Sequence, residues 1–353
     1  MNASQHEFSQ TSPWHAGERA AQARVGVRER MEQVGARVLR PYMPEQHREF
    51  FTQLPFVIVG SVDAAGQPWA SVLARPPGFI DSPNPRHLTI HAAPLAGDPL
   101  AESLRPGAAI GLLGIEPHTR RRNRMNGVVE QVRAEAFSVR VSQSFGNCPK
   151  YIQARAPVYD DERPDHAGSL HRATRLDAAA LRMIRAADTF FIATAYPGAD
   201  SGAKSGVNPS ADPGVDTNAF ARADTSGHAD AGRAHGVDVS HRGGKPGFVR
   251  VDGEGTLTAP DFAGNQFYNT IGNLLVNPRA GLLFIDFERG DLLYLAVEAT
   301  VIWDGPEVAA YAGAQRLLRL DVRQMLRIEA ALPLRWGAAA LSPFLEATGS
   351  WRE

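Results

Sequence analysis

Cysteine is almost absent. Cys148 stands alone among 353 residues, which excludes a disulfide framework, an iron–sulfur cluster and any Cys-rich zinc site within one chain. Lysine is nearly absent too: the three residues Lys150, Lys204 and Lys245 leave arginine to carry the positive charge and give a Schiff-base enzyme few choices. No sign of charge dominates. Lys+Arg number 37 against 38 Asp+Glu, a net charge of -1, so there is no global electrostatic case for nucleic acid or an anionic membrane. Long apolar runs are missing, since Leu54–Gly60 and Gly281–Ile285 fall far below the ~20 residues of a spanning helix. The N-terminus has neither the basic start nor the apolar stretch of a signal peptide, so the expected location is cytoplasmic. Also missing are a Walker loop, a Gly-x-Gly-x-x-Gly after a strand, a His-Glu-x-x-His pair among the histidines, and a nucleophile elbow. No metal site is expected.

What is present is a 43% hydrophobic chain long enough for two domains or one duplicated unit. Val27, Met31, Val34 and Val38 recur at i, i+4, i+7 and i+11, which predicts one amphipathic helix from Gly17 to Arg40. Pro44 and Pro55 bracket a second, Glu45–Leu54. Short β-like runs follow: Phe56–Val62, Trp69–Leu73, a hairpin over 77–91, then strands over 108–115 and 127–141. A Gly/Ala/Asp/Ser-rich stretch at about 197–236 lacks the apolar content to offset its ordering entropy and is expected to be a disordered insertion, a ligand lid being the sharper alternative. A helix is expected around Val308–Leu332, stopped by Pro333.

The strongest internal signal is an ordered series that occurs twice. Ser71 and Ser240 each precede a Pro-Gly-Phe by the same interval. Each is followed by a Leu-Thr strand (Leu88-Thr89, Leu257-Thr258) and an Ala-Gly corner (Ala96-Gly97-Asp98, Ala263-Gly264-Asn265). A helix then leads into an apolar strand, Gly111-Leu-Leu-Gly-Ile-Glu116 or Gly281-Leu-Leu-Phe-Ile-Asp286. This predicts two small β-barrels packed together. The second helix is expected to start at Asn265 and reach about Val276, with Asn265, Asn269 and Asn273 on one face. Asparagine is a mediocre helix former, so the row suggests an anion at the helix start, held by backbone N–H groups, Asn265, Asn269 and Thr270. An N-cap with solvent-facing amides explains the same row. Gly247 lets backbone approach a flat group, and the strand from Phe248 offers N–H and C=O groups to a planar heterocycle.

Three further features carry both plain and functional readings. Arg120, Arg122 and Arg124 would form one stripe on a strand running to an Asn126-Gly127 turn, either a solvated edge or a reach toward an anion across the barrel junction. Cys148 reads as a structural cysteine or a redox thiol, with Lys150 and Tyr151 near it. His15, His47, His118 and His241 lie near these motifs, and His241, directly after Ser240, is the one best placed for a ligand contact.

The second half, from Val237-Asp-Val-Ser-His-Arg-Gly-Gly-Lys-Pro-Gly-Phe-Val249 through Thr256–Asn265 to Asn277-Pro-Arg-Ala-Gly-Leu-Leu-Phe-Ile285, resembles the pyridoxamine 5′-phosphate oxidase-related FMN-binding split-barrel family, in a long tandem subgroup. Leu54–Ser61, Gly114–Gly127 and Gln143–Ile152 resemble it as well. The resemblance implies a mainly β fold of two tandem Greek-key split barrels with flanking helices and FMN where the barrels meet. It divides the chain into an N-terminal helical wrap (1–53), a first barrel (54–145), a linker with a helix (146–186), a second barrel carrying the main flavin motif (187–305) and a C-terminal helical segment (306–353). The implied cofactor-binding residues are Ser240, His241, Arg242, Lys245, Phe248, Val249, Arg250, Asp261, Gly264, Asn265, Asn269 and Thr270, joined by Arg122 and Arg124. The implied activity is an FMN-dependent oxidoreductase transferring two electrons through flavin N5 to or from a small molecule, with NAD(P)H or another electron donor. The alternative is a flavin- or haem-binding protein without turnover. Homodimers or internal pairing of the two barrels would complete the site. One departure stands out: where the family's single-barrel oxidases have a Ser-Arg-Lys type cluster, this chain has Tyr268-Asn269-Thr270. The family's vitamin B6-binding arginine and histidine pattern is absent near the C-terminus, with Leu334-Arg335-Trp336 a faint echo.

Overall fold

A computed structural model describes residues 12–162, 168–197 and 236–351. The insertion expected at about 197–236 and the first part of the N-terminal tail lie almost wholly outside the described residues. The chain is mainly β, as expected. Seven strands form the first sheet: β1 (Phe56–Val62), β2 (Pro68–Ala74), β3 (Ile80–Asn84), β4 (His87–Ile90), β5 (Ala109–Glu116), β6 (Arg121–Arg133) and β7 (Ala136–Gly146). Two short strands follow, β8 (Pro157–Tyr159) and β9 (Leu170–Ala173). The second sheet holds β10 (Thr189–Tyr196), β11 (Gly236–Gly243), β12 (Arg250–Asp252), β13 (Thr256–Phe262), β14 (Arg279–Ile285), β15 (Leu292–Ile302) and β16 (Ala314–Ile328), with β9 added alongside β16. Near the C-terminus β17 (Leu334–Trp336) pairs with β8.

Both sheets run in one order. The first is β2-β1-β5-β6-β7-β4-β3 and the second is β11-β10-β14-β15-β16-β13-β12, antiparallel throughout. Their registers also correspond. Val59 faces Ser71 and Leu112, and Ile192 faces Ser240 and Leu282. The central strands are buried on both faces, which explains their unbroken apolar runs. On β1, Val57 and Val59 enter the first unit's own core, whereas Phe56 and Ile58 join a shared core with Phe191, Ala193, Leu283 and Tyr294 of the second unit. Close backbone approach seals that junction. A Cβ on Gly111 would sit 2.6 Å from the Val237 carbonyl oxygen, and one on Gly281 would sit 2.2 Å from that of Pro68.

Helices fill the remaining sides. These are α1 (Ala16–Arg24), α2 (Arg28–Val38), α3 (Glu45–Thr52), α4 (Leu100–Ser103), α5 (Ala178–Ala186), α6 (Asn269–Val276) and α7 (Pro306–Ala309). Four expectations need correction. The single helix over Gly17–Arg40 is two, because Gly26 at φ 73 breaks it. The strand over 127–141 is the hairpin β6–β7, and Asn126-Gly127 is a register shift inside β6 rather than a turn. The helix expected from Asn265 starts at Asn269, since Gln266 and Tyr268 have positive φ values of 65 and 64. The largest error is the C-terminal helix: its sequence forms β16, a 15-residue strand clasped between β15 and β13, and only Pro306–Ala309 is helical. Leucine, arginine and glutamine are good helix formers, but pairing on both edges overrides that weak preference.

Candidate functional site

The site is built where β6 of the first unit meets β11 and α6 of the second. Arg120, at φ 57, ends a short 3-10 turn and points its Nε at the Ile152 carbonyl oxygen, 3.0 Å away. The strand begins after it, so the alternation that Arg120 was expected to share is kept by Arg122 and Arg124 alone. Arg124, 7% exposed, donates through Nη1 to Asp238 Oδ1 at 2.7 Å and to Asn269 Oδ1 at 3.1 Å. Its Nη2 reaches Ser240 Oγ, which also lies 2.8 Å from Thr270 Oγ1. Asp238 and Ser240 are two apart on β11 and so share a face. Arg122 donates from Nε to the Cys148 carbonyl oxygen at 2.8 Å, and its Nη1 lies 3.3 Å from His241 Nδ1.

Two adjoining clefts open here. The first is open to solvent, with about 430 Å³ of space between β11, the Asp261–Tyr268 corner, the start of α6 and Arg316 of β16. The second, about 390 Å³, lies toward Arg122, Cys148, Tyr151 and His241. Arg242, Asp261, Phe262 and Gly264 line both, and form the wall between them.

Electrostatics set the chemistry. Arg122, Arg124, Arg242 and Arg316 surround the clefts, opposed by two carboxylates, Asp238 and Asp261. Arg316 Nη1 lies 2.6 Å from Asp261 Oδ2, and Arg242 stands 3.6 Å from Asp261 Oδ1. Arg122 has no carboxylate partner among the described residues, and burial with the repulsion of Arg124 pulls its guanidinium down to about 9. Burial and the neighbouring Arg122 hold His241 well below its ordinary value, so it is a neutral ring whose Nδ1 accepts from Arg122. Three guanidinium donors, the Nε atoms of Arg124, Arg242 and Arg316, are buried without a hydrogen-bond acceptor. A fourth such donor, Arg327 Nε, lies away from the clefts; at the site the three are free to meet a ligand or water acceptor.

A carboxyl group stands behind the first cleft. Glu18 of α1 closes a capping box with His15, whose Nδ1 accepts from Gly17 N, and it accepts from Asn269 Nδ2 at 2.5 Å. Burial raises Glu18 to about 8, so it is mostly a neutral acid at pH 7. The chain Glu18–Asn269–Arg124 therefore ties the N-terminal helix to the cleft.

Of the residues expected to bind a cofactor, Ser240, Arg242, Asp261, Gly264, Asn265, Asn269, Thr270 and Arg124 line the first cleft, while His241 and Arg122 line the second. Four do not belong to either. Phe248 and Val249 face the second unit's own core, with Phe248 stacked on Phe190 at 5.7 Å. Lys245 donates to the Thr348 carbonyl oxygen at 2.6 Å. Arg250 pairs with Asp252 and Glu307 and covers the Trp351 ring. The expected asparagine row is also dissolved into separate bonds: Asn265 to Asn147, Asn269 to Glu18, and Asn273 to Thr194 inside the fold. Arg316, Glu18 and Asp238 were missed. Arg316 sat in the stretch read as a helix, and nothing in the sequence brings Glu18 near residue 269.

Residues 43–167 match the family model "Pyridoxamine 5'-phosphate oxidase". The match lies on the first unit and covers less than half of the chain. The match falls on the first half, not on the second, where the cofactor motifs were sought. No curated protein matches the chain. A putative pyridoxamine 5′-phosphate oxidase from Lactobacillus delbrueckii is 17% identical, the alignment covering 30% of this chain and 95% of that one, with a TM-score of 0.24. HupZ from Group A Streptococcus is 12% identical over 30% of this chain and 94% of its own, also at 0.24. The Inhibitor of motility from Bacillus subtilis is 8% identical over 76% and 87%, at 0.20.

Proposed function

We propose that this protein is an FMN-dependent oxidoreductase whose two β units pair within one chain, as tandem split barrels, to form the cofactor site. The observation that carries this reading is the cluster of four arginines facing two carboxylates at the unit junction, with three buried Nε donors lacking acceptors. A phosphomonoester bears close to two negative charges at neutral pH and three acceptor oxygens, which matches both the charge surplus and the orphaned donors. The residues present therefore fit FMN. Arg124, Arg242, Arg316 and Thr270 would hold its phosphate, and the second cleft lies next to it for the ring or a small-molecule substrate. FMN supplies two-electron chemistry at N5; the chain's part is to bind, orient and screen it. Neutral His241, whose Nδ1 accepts from Arg122, carries its proton on Nε2 as a hydrogen-bond donor, and Arg122 keeps a positive charge beside that cleft. NAD(P)H or another donor would bring the electrons.

The test is the absorption spectrum of the purified protein, followed by mass identification of whatever denaturation releases. Flavin bands and released FMN are the expected result. A colourless preparation that takes up no added FMN, or a Soret band in place of flavin bands, contradicts the proposal. Arg124→Lys keeps the charge opposite Asp238 but loses the forked donors, and is expected to weaken FMN binding at least tenfold in a fluorescence-quenching titration.

A further inference from the structure

The matching registers of the two sheets let each residue of this site be paired with its counterpart in the first unit. Ser240, opposite Ile192, corresponds to Ser71, opposite Val59. By the same registers Asp238 corresponds to Trp69, His241 to Val72 and Arg242 to Leu73. On the strand that reaches across, Arg124 faces Leu113 as Tyr294 faces Leu283, and Arg122 faces Ile115 as Leu292 faces Ile285. Asp238, His241, Arg242, Arg124 and Arg122 thus each have an uncharged counterpart, and among these paired positions the serine is shared.

The counterpart place is filled by the protein itself. Tyr294, fully buried, reaches from the second unit into the first as Arg124 reaches the other way, and its hydroxyl donates to Asp98 Oδ2 at 2.9 Å. Ser71 Oγ donates to Asp98 Oδ1 at 2.5 Å, and the same oxygen caps the Leu100 N–H at 2.8 Å. Asp98 is 1% exposed and Ser71 is sealed. Where the second unit offers unpaired guanidinium Nε donors to an anion, the first holds its own carboxyl group, which takes the Tyr294, Ser71 and Leu100 donors. With Asp98 and Ser71 sealed and no arginine or lysine paired with Asp98 among the described residues, that place does not suit a dianionic phosphate.

We infer that the chain carries one phosphorylated-ligand site, not two, and that its pseudo-symmetric mate has become a structural post made of Tyr294, Asp98 and Ser71. Resting on the FMN reading above, the inference fixes the stoichiometry of that site and names Arg122 as a residue that sets which junction binds. Arg122 suits a test because it has no carboxylate partner among the described residues, so replacing it strands no buried charge there.

Equilibrium dialysis of the full chain against FMN measures this. One FMN per chain is expected at saturation. Arg122→Leu, which copies the first unit at that position, should weaken binding at least tenfold while the melting temperature holds. Tyr294→Phe, which opens the post without touching the second-unit site, should leave affinity within twofold and stoichiometry at one. Two FMN per chain overturns the inference and leaves the FMN reading standing. So does a single FMN whose affinity is unmoved by Arg122→Leu and lost in a folded Tyr294→Phe chain. No uptake by the unaltered chain overturns both.

Discussion

Glu18 shows how one side chain joins the surface helix to the site. Its carboxyl group is buried with Asn269 and the backbone of His15, and burial lifts it from an ordinary 4.5 to about 8. Because the folded-state value is raised, the native state holds a proton that the unfolded chain releases. The stability tied to it is full below about 4.5 and is lost as pH rises toward and through 8. Glu18→Gln keeps the neutral shape and removes the titration, so it should flatten the melting-temperature profile between pH 6 and 8. An unchanged profile would show that Glu18 is charged when folded. Asp98 adds a lower window of the same sign, since burial raises it from 3.8 to about 6. At this scale the sequence spoke unevenly. Arg122 and Arg124 could be read as a stripe because a strand's period is two, and Asp261, Gly264 and Asn265 because a corner interrupts the pattern. Arg250 could not be placed, since the acids that claim it, Asp252 and Glu307, lie 2 and 57 residues away.

Between elements, the tightest constraint is the crossing of α1 over α6. A Cβ on Gly17 would stand 2.0 Å from the Gly272 carbonyl oxygen, and one on Gly272 would stand 2.5 Å from Glu18 N. The helices meet backbone to backbone, which brings Glu18 within reach of Asn269. Gly17→Ala must push them apart, and an overpacked contact of this kind costs about 1–3 kcal/mol. The expected result in a chemical-denaturation curve is a loss of that size, with weaker FMN binding because Asn269 loses its anchor. Unchanged stability and affinity would show that α1 does not support the site. Element types were legible where strands are short and bracketed by turns, as in β1 and β2. They were not legible in β16, whose arginines and leucines mimic a helix stripe. Its strand character comes from pairing with β15 just upstream and with β9 and β13 farther away in sequence.

At the scale of the molecule, the repeated series of Ser, Pro-Gly-Phe, corner and apolar strand led to the expectation of two small barrels packed together; the structure has two sheets of one strand order, the motifs sitting at turns and junctions. The series did not reveal that the two junctions differ in charge, since Tyr294 and Leu292 look like core residues until register sets them beside Arg124 and Arg122. In the proposed function the arginine-rich junction reads a phosphate. Parallel titrations of the protein with FMN and with riboflavin, which lacks only the phosphate, test this most directly. With charge-assisted hydrogen bonds worth about 1.5–3 kcal/mol each, FMN should bind at least a hundredfold more tightly, and the advantage should shrink as salt rises. Equal affinities for the two, at any ionic strength, would contradict it.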